Sequence, residues 1–213
     1  MVALILDLLQ LAPGVFALFY HYAFGKFGKK VARMLGAFFV FGFLFTSVSL
    51  FLATFLLIED SELLRAIMAG IFIALGVAGG VFYYRRGSGS RLYISRRLAH
   101  AFQEGAKNPK GPIEAFLLGA VSGVTECIFT VPLFIMATLQ IKTFESGIIQ
   151  FDLAAALFAI VIIPFLIIFV AYQSGANLAD VMRMRTRNKG FNRLMLCFLF
   201  MLLAAGLYNF GVF

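Results

Sequence analysis

The chain has 213 residues, of which 62% are hydrophobic and 13% charged, with a formal net charge of +8 and a mean hydropathy of +0.96. Soluble domains run about 45–50% apolar and about 25% charged. A water-surrounded enzyme, a disordered chain and a nucleic-acid-binding domain are therefore all disfavoured by composition.

About 20 apolar residues in a helix cross the roughly 30 Å hydrocarbon layer of a bilayer. Six stretches reach that length, at residues 2–24, 34–58, 64–84, 113–139, 152–173 and 191–212. They are continuous rather than alternating, which excludes a β-barrel, and hydrocarbon offers no water to satisfy an open backbone. The expected fold is all-α, a polytopic membrane protein with six transmembrane helices. The first stretch has no basic segment before it and no small-x-small site after it. It reads as a retained span rather than a cleaved signal.

The connections set the orientation. Lys26, Lys29, Lys30 and Arg33 follow the first stretch; Arg85, Arg86, Arg91, Arg96, Arg97, Lys107 and Lys110 follow the third; Arg183, Arg185, Arg187, Lys189 and Arg193 follow the fifth. Sixteen of the 18 basic residues thus fall on one side, with Arg65 and Lys142 on the other beside Glu59, Asp60, Glu62, Glu145 and Asp152. Basic loops stay cytoplasmic, so both termini are expected outside. The charge needs no nucleic acid as partner, because such loops meet the anionic headgroups of the bilayer. With no Trp in the chain, interface anchoring is expected from Tyr20, Tyr22, Tyr83, Tyr84, Tyr93 and Tyr172 inside and Tyr208 outside. Residues 91–105 mix Leu92, Ile94, Leu98 and Phe102 with Arg96, Arg97, His100 and Glu104. This predicts an amphipathic helix on the inner leaflet, ended by Gly105 and followed by the Asn108–Pro112 turn.

Three helices, a basic loop and three more helices describe one membrane domain, 1–213, with a first repeat at 1–84, the loop at 85–112 and a second repeat at 113–213. Halves with an odd number of helices are inverted in the membrane, as in secondary transporters with sites at the repeat interface. Pro13-Gly14-Val15 and Ser122-Gly123-Val124 lie at similar depths in the first helix of each half. Pro13, Pro132 and Pro164 are each expected to kink or break a helix.

Glu126 lies thirteen positions into the fourth stretch. A charged group at that depth costs at least about 2.5–3.5 kcal/mol on insertion scales and should face the bundle interior or a cavity. It is the first candidate for solute binding or proton coupling. Thr125, Ser122, Pro13, Gly14 and Pro132 accompany it at the two predicted breaks, and Asp7 and Gln10 share a face of the first helix. Thr130 and Gln140 are further polar positions, although membrane hydroxyls often bond their own backbone. Gly119-xxx-Gly123 and Gly76-xxx-Gly80 are close-packing faces, within a chain or in a homodimer. No His, Cys and carboxylate spacing suggests a metal, and no phosphate loop, nucleophile elbow or dinucleotide fingerprint suggests a cofactor or soluble-type catalysis.

Thr125-Glu126-Cys127-Ile128, with Pro132 beyond it, resembles the Thr-Pro-Cys-Ile motif of the fourth helix in cytochrome c biogenesis and DsbD-type thiol transporters. Ala12-Pro13-Gly14, followed by Gly25-Lys26-Phe27-Gly28 and Gly36, is similar to the lysine-exporter branch of the same superfamily. The resemblance implies six helices as three plus three and a bacterial cytoplasmic membrane. It also implies a secondary transporter or exporter of a small solute or ion. The thiol branch has a cysteine in the first helix of each half. Here the first helix has none, Glu126 replaces the proline, and Cys197 lies in the sixth stretch. A redox role through Cys127 is the alternative, since thiol exchange needs a second sulfur. A third reading is a non-catalytic assembly subunit whose basic loops dock a cytoplasmic partner.

Overall fold

The longest helix turns back on itself at one glycine. In the computed structural model, which describes residues 12–78, 96–175, 198–202 and 204–205, α1 spans Ala12–Leu57, and Gly28 inside it has φ 77° and ψ 176°. That is a conformation glycine adopts without steric penalty. The basic connection expected between the first two apolar stretches is therefore almost all helix, hinged at a single residue. The two arms pack against each other. Phe16 and Phe19 of the first arm meet Phe39 of the second, at centroid distances of 5.4 and 5.6 Å. Phe16, Phe19, Tyr20 and Ala23 are buried on one arm, and Ala32, Leu35, Gly36, Phe39 and Phe43 on the other, spacings that put each set on a single helix face.

Further along lie α2 (Glu62–Ala78), α3 (Arg96–Lys107), α4 (Pro112–Thr125), α5 (Cys127–Lys142) and α6 (Gly147–Gln173). The described residues contain no strand. All six apolar stretches are helical wherever they are described, apart from Glu126 and the end residue Ile58. By length and composition α1 and α6 can each cross a membrane, and α4 with the later part of α5 adds a third candidate as one bent span. The outer surface is suited to lipid: Leu166, Ile167 and Val170 of α6 are 54%, 60% and 59% exposed, a density of bare aliphatic side chains that water-soluble monomers avoid.

The core sits where both arms of α1 meet α4, α5 and α6. Phe165 of α6 lies 5.4 Å from Phe16 and 5.0 Å from Phe43 between ring centroids. Phe72 of α2 stacks on Phe200 at 5.9 Å, which seats the helical residues near position 200. Among the separate described helices the most extensive interface joins α1 to α4, and glycine makes it possible. A Cβ on Gly42 would lie 2.0 Å from the Phe116 carbonyl oxygen, and one on Gly119 would lie 1.9 Å from that of Phe39. Gly119-xxx-Gly123 is thus a close-packing face within the chain. Gly80, of the second such pair, lies outside the described residues.

The break expected in stretch 113–139 is present, with α4 and residues 130–142 diverging by 77°, and Pro132 itself lies inside α5. Several local expectations are corrected. Gly105 does not end α3, which runs on to Lys107; a Cβ on Gly105 would meet Leu118 at 3.3 Å, so the glycine serves the approach of α4. The stop comes at Asn108-Pro109, because a residue before proline is driven out of the helical region. The apolar face of α3, with Phe102 and Ala106 buried, packs onto α1 and α4. Pro164 sits inside the unbroken α6; the residues ahead of Ala12, which a break at Pro13 would involve, lie outside the described residues. Tyr20 and Tyr172 are buried rather than interfacial: the Tyr20 hydroxyl accepts from Gln173 Nε2 at 3.0 Å and that of Tyr172 donates to the Ala17 carbonyl at 3.3 Å. Tyr22 is exposed; Tyr83, Tyr84, Tyr93 and Tyr208 lie outside the described residues.

Polar contacts sort the two ends of the bundle. At one end Lys26 Nζ donates to Asn108 Oδ1 at 3.3 Å and to the Pro109 carbonyl at 3.2 Å, and Arg33 Nη2 donates to Gln173 Oε1 at 2.5 Å. At the other, Lys142 Nζ donates to the Ile58 carbonyl at 2.7 Å and Arg65 clasps Asp60, with Nε 2.7 Å from Oδ1. That hydrogen bond holds the Asp60 carboxyl below its ordinary pKa, against a smaller opposing effect of desolvation. A depressed carboxylate pKa stabilises the fold above the unfolded value of about 3.9, and the contribution is lost as pH falls through the folded value. Asp60→Asn should therefore melt below wild type near neutral pH and converge with it under acid, as thermal scans between about pH 2 and 6 will report.

Candidate functional site

The α4–α5 corner is built from local chemistry. Pro132 lacks an N–H and its ring crowds the carbonyl four residues earlier, so the turn just ahead of it is the weak point of the stretch. Glu126 occupies that corner with φ −86° and ψ −4°, between the regular helical and extended regions. It is midway between the α4 start at Pro112 and the α5 end at Lys142, and 5% exposed.

Its carboxylate reaches across the bundle. Glu126 Oε1 accepts the backbone N–H of Ala12 at 2.6 Å, over a sequence separation of 114. Ala12 and Pro13 are the first two described residues of α1. A carboxylate is a strong acceptor for a backbone N–H, and Pro13, beside Ala12, has no N–H to give. The lengths agree: α4, with 14 residues, is about 21 Å long at 1.5 Å per residue. The 16 residues from Ala12 to Phe27, read from the first described residue of α1 and the Gly28 hinge, make about 24 Å. Both run from the basic end to the same depth, where Glu126 joins them.

The two segments where breaks are expected therefore come together. Pro13 is buried and Gly14 half-buried beside the residue that Glu126 holds. The hydroxyls do not converge as ligands. Ser122 donates to the Leu118 carbonyl at 2.7 Å, Thr125 to that of Ser122 at 2.8 Å, and Thr130 to that of Glu126 at 3.0 Å; each is held by its own stretch of chain. Pro132 is half-buried inside α5, and Gln140 is exposed. Asp7 and Gln10 lie outside the described residues. Cys127 is half-buried with its thiol directed to the Gly123 carbonyl at 3.9 Å, and it has no sulfur partner among the described residues; Cys197 lies outside them. No group of three or more metal-ligating side chains occurs among the described residues.

A polar line leads from Glu126 toward the Lys142 end. Glu126, just ahead of α5, and Thr130, Phe134, Thr138 and Lys142 within it recur at four-residue intervals, a row that winds about 40° around the helix at each step. Thr130 and Thr138 are buried, and Thr138 Oγ1 lies 3.5 Å from Thr54 Oγ1 of α1. Between the two threonines the line is closed by rings: Phe51, Phe134 and Phe158 meet at centroid distances of 5.7, 5.5 and 6.0 Å. Sequence reading missed Thr54, Thr138 and this triad. The four-residue recurrence was visible, but Phe51 and Phe158 belong to other helices. Toward the basic end, two cavities of about 570 and 380 Å³ open beside α3, and neither is lined by Glu126.

No family model matches this chain, and neither the curated proteins nor the solved structures provide a match.

Proposed function

We propose that this chain is a secondary carrier of a small solute or ion, working in a bacterial cytoplasmic membrane with both termini outside. Its plan is two inverted three-helix halves of the lysine-exporter and DsbD-like kind. Glu126 is the residue that takes up the coupling proton or a cationic group of the solute. The observation that carries this reading is the junction of Glu126 with Ala12. A helix corner in one half of the chain and the Ala12-Pro13 segment in the other share a buried acid midway through the bundle. Discontinuous helices meeting near mid-depth are the usual site architecture of such carriers, and intramembrane acids mark ion and proton routes. The ring triad at Phe134, placed along the chain between Thr130 and Thr138, supports an occluded state, closed between Glu126 and the Lys142 end. The clustering of Lys26, Arg33, Asn108 and Gln173 at one end and Lys142, Asp60 and Arg65 at the other supports the proposed sidedness.

The test is uptake into proteoliposomes under an imposed pH gradient, using a panel of radiolabelled cationic and neutral amino acids and monovalent cations. Wild type should accumulate at least one solute in a gradient-dependent way, and Glu126→Gln should reduce that uptake at least tenfold, about 1.4 kcal/mol. Undiminished, gradient-driven uptake by Glu126→Gln removes this residue from the mechanism.

A further inference from the structure

The smaller cavity, of about 380 Å³, is walled by His21, Tyr22, Phe24, Gly25, Lys26 and Lys107. Its two lysines come from separate elements, the end of the first α1 arm and the last turn of α3. Among the described residues no acidic one lines it. The neighbouring cavity of about 570 Å³ carries Glu104 and Glu114 beside Lys110, and Lys110 pairs with Glu114 at 3.5 Å. Among the described residues neither Lys26 nor Lys107 forms an ion pair. Lys26 is nonetheless fixed in place: Nζ donates to Asn108 Oδ1 and to the Pro109 carbonyl and lies 5.2 Å from the centre of the Phe27 ring. These acceptors are neutral and do not offset its charge. His21 is braced by Tyr22 and Tyr172, at ring distances of 5.5 and 6.1 Å, and its imidazole adds an N–H donor. Phe24 and Phe27 are exposed beside the lysines.

We propose that this cavity binds the phosphate of an anionic phospholipid headgroup, with the acyl chains lying along Phe24 and Phe27. Basic pockets between helices at the cytoplasmic face have the chemistry for such headgroups. The lysines supply point charges, His21 and Tyr22 supply hydrogen bonds, and the exposed rings supply an apolar wall that a free anion does not need. The proposal rests on the basic end lying in the headgroup layer and is independent of what the protein carries.

Binding to the full-length protein in detergent is measured by native mass spectrometry and by thermal melting, with phosphatidylglycerol, phosphatidylcholine or inorganic phosphate added. Phosphatidylglycerol should bind and raise the melting temperature, while the other two leave both readings unchanged. Lys107→Gln removes a side chain with no hydrogen bond among the described residues, so the fold should be unaffected. Near a charged surface one lysine contributes about 1 kcal/mol, so affinity for phosphatidylglycerol should fall about fivefold. His21→Gln should weaken it further. Equal binding of phosphatidylcholine, an equal effect of inorganic phosphate, or a Lys107→Gln protein with wild-type affinity would each overturn the assignment.

Discussion

Gly119→Ala and Gly42→Ala should each lower the melting temperature of the detergent-purified protein, whereas Gly70→Ala should raise it slightly. A methyl at Gly119 would lie 1.9 Å from the Phe39 carbonyl oxygen and one at Gly42 2.0 Å from that of Phe116, where ordinary contact begins at 3.4 Å. The obstacle is backbone on both sides, so α1 and α4 have to separate by about 1.5 Å to reach that distance. Overpacking a tight contact costs about 1–3 kcal/mol, and in a chain of this size each kcal/mol corresponds to about 2–4 °C. The gain in helix propensity from glycine to alanine, about 0.5–1 kcal/mol, is too small to offset that. At Gly70, in the interior of α2 with nothing within 4 Å of its Cβ position, the propensity term acts alone and the sign reverses. Gly123, where the added atom would meet the Thr46 side chain at 3.1 Å, should fall between. Gly42→Ala with Gly119→Ala should cost less than the two singles added, because one separation of the helices relieves both clashes. Strict additivity, or a stabilised Gly119→Ala, would show that the α1–α4 crossing is looser than described.

Glu126 offers the second large effect, and two substitutions separate its roles. Glu126→Ala removes the acceptor of the Ala12 N–H and leaves a buried donor unmatched, a loss of about 1–3 kcal/mol. Glu126→Gln keeps a carbonyl oxygen for that N–H while discarding the charge. The amide keeps that hydrogen bond, so the glutamine protein should melt close to wild type, and the alanine protein clearly below both. The expected pattern is a stable Glu126→Gln protein that no longer couples uptake to the pH gradient: a carboxyl retained for chemistry, in a place where an amide would serve the fold as well. Should Glu126→Gln melt as low as Glu126→Ala, the negative charge is itself structural, held by the Ala12 amide. The buried acid would then be explained without transport.

Much of the helical content was legible in the sequence, and for a physical reason. In hydrocarbon an apolar stretch has few ways to satisfy its amides, so composition and length name the element without help from its neighbours. The distribution of charge was legible too. Lys26 and Asn108 do meet at one end, and Lys142 and Ile58 at the other, because a lysine is excluded from an apolar interior wherever its segment packs. Residue-level roles were less visible. Gly105 reads as a helix stop and is an approach point for Leu118; Tyr20 and Tyr172 read as interface anchors and lie inside, each with a partner for its hydroxyl. Glycine and tyrosine each serve several environments, and only the neighbour that arrives decides between them.

The sequence by itself determined that the chain is helical, that its helices are apolar enough for lipid, and that an acid lies at mid-depth beside a proline-weakened turn. These are properties of short segments, set by backbone hydrogen bonding and the transfer energies of side chains. Tertiary structure alone decided that Gly28 folds α1 into two packed arms. It decided as well that Gly42 and Gly119 bring α1 against α4, and that Glu126 meets an amide 114 residues away at Ala12. Those outcomes depend on which surfaces fit closely enough to exclude lipid between them, and that fit is a property of helix pairs that no single segment carries.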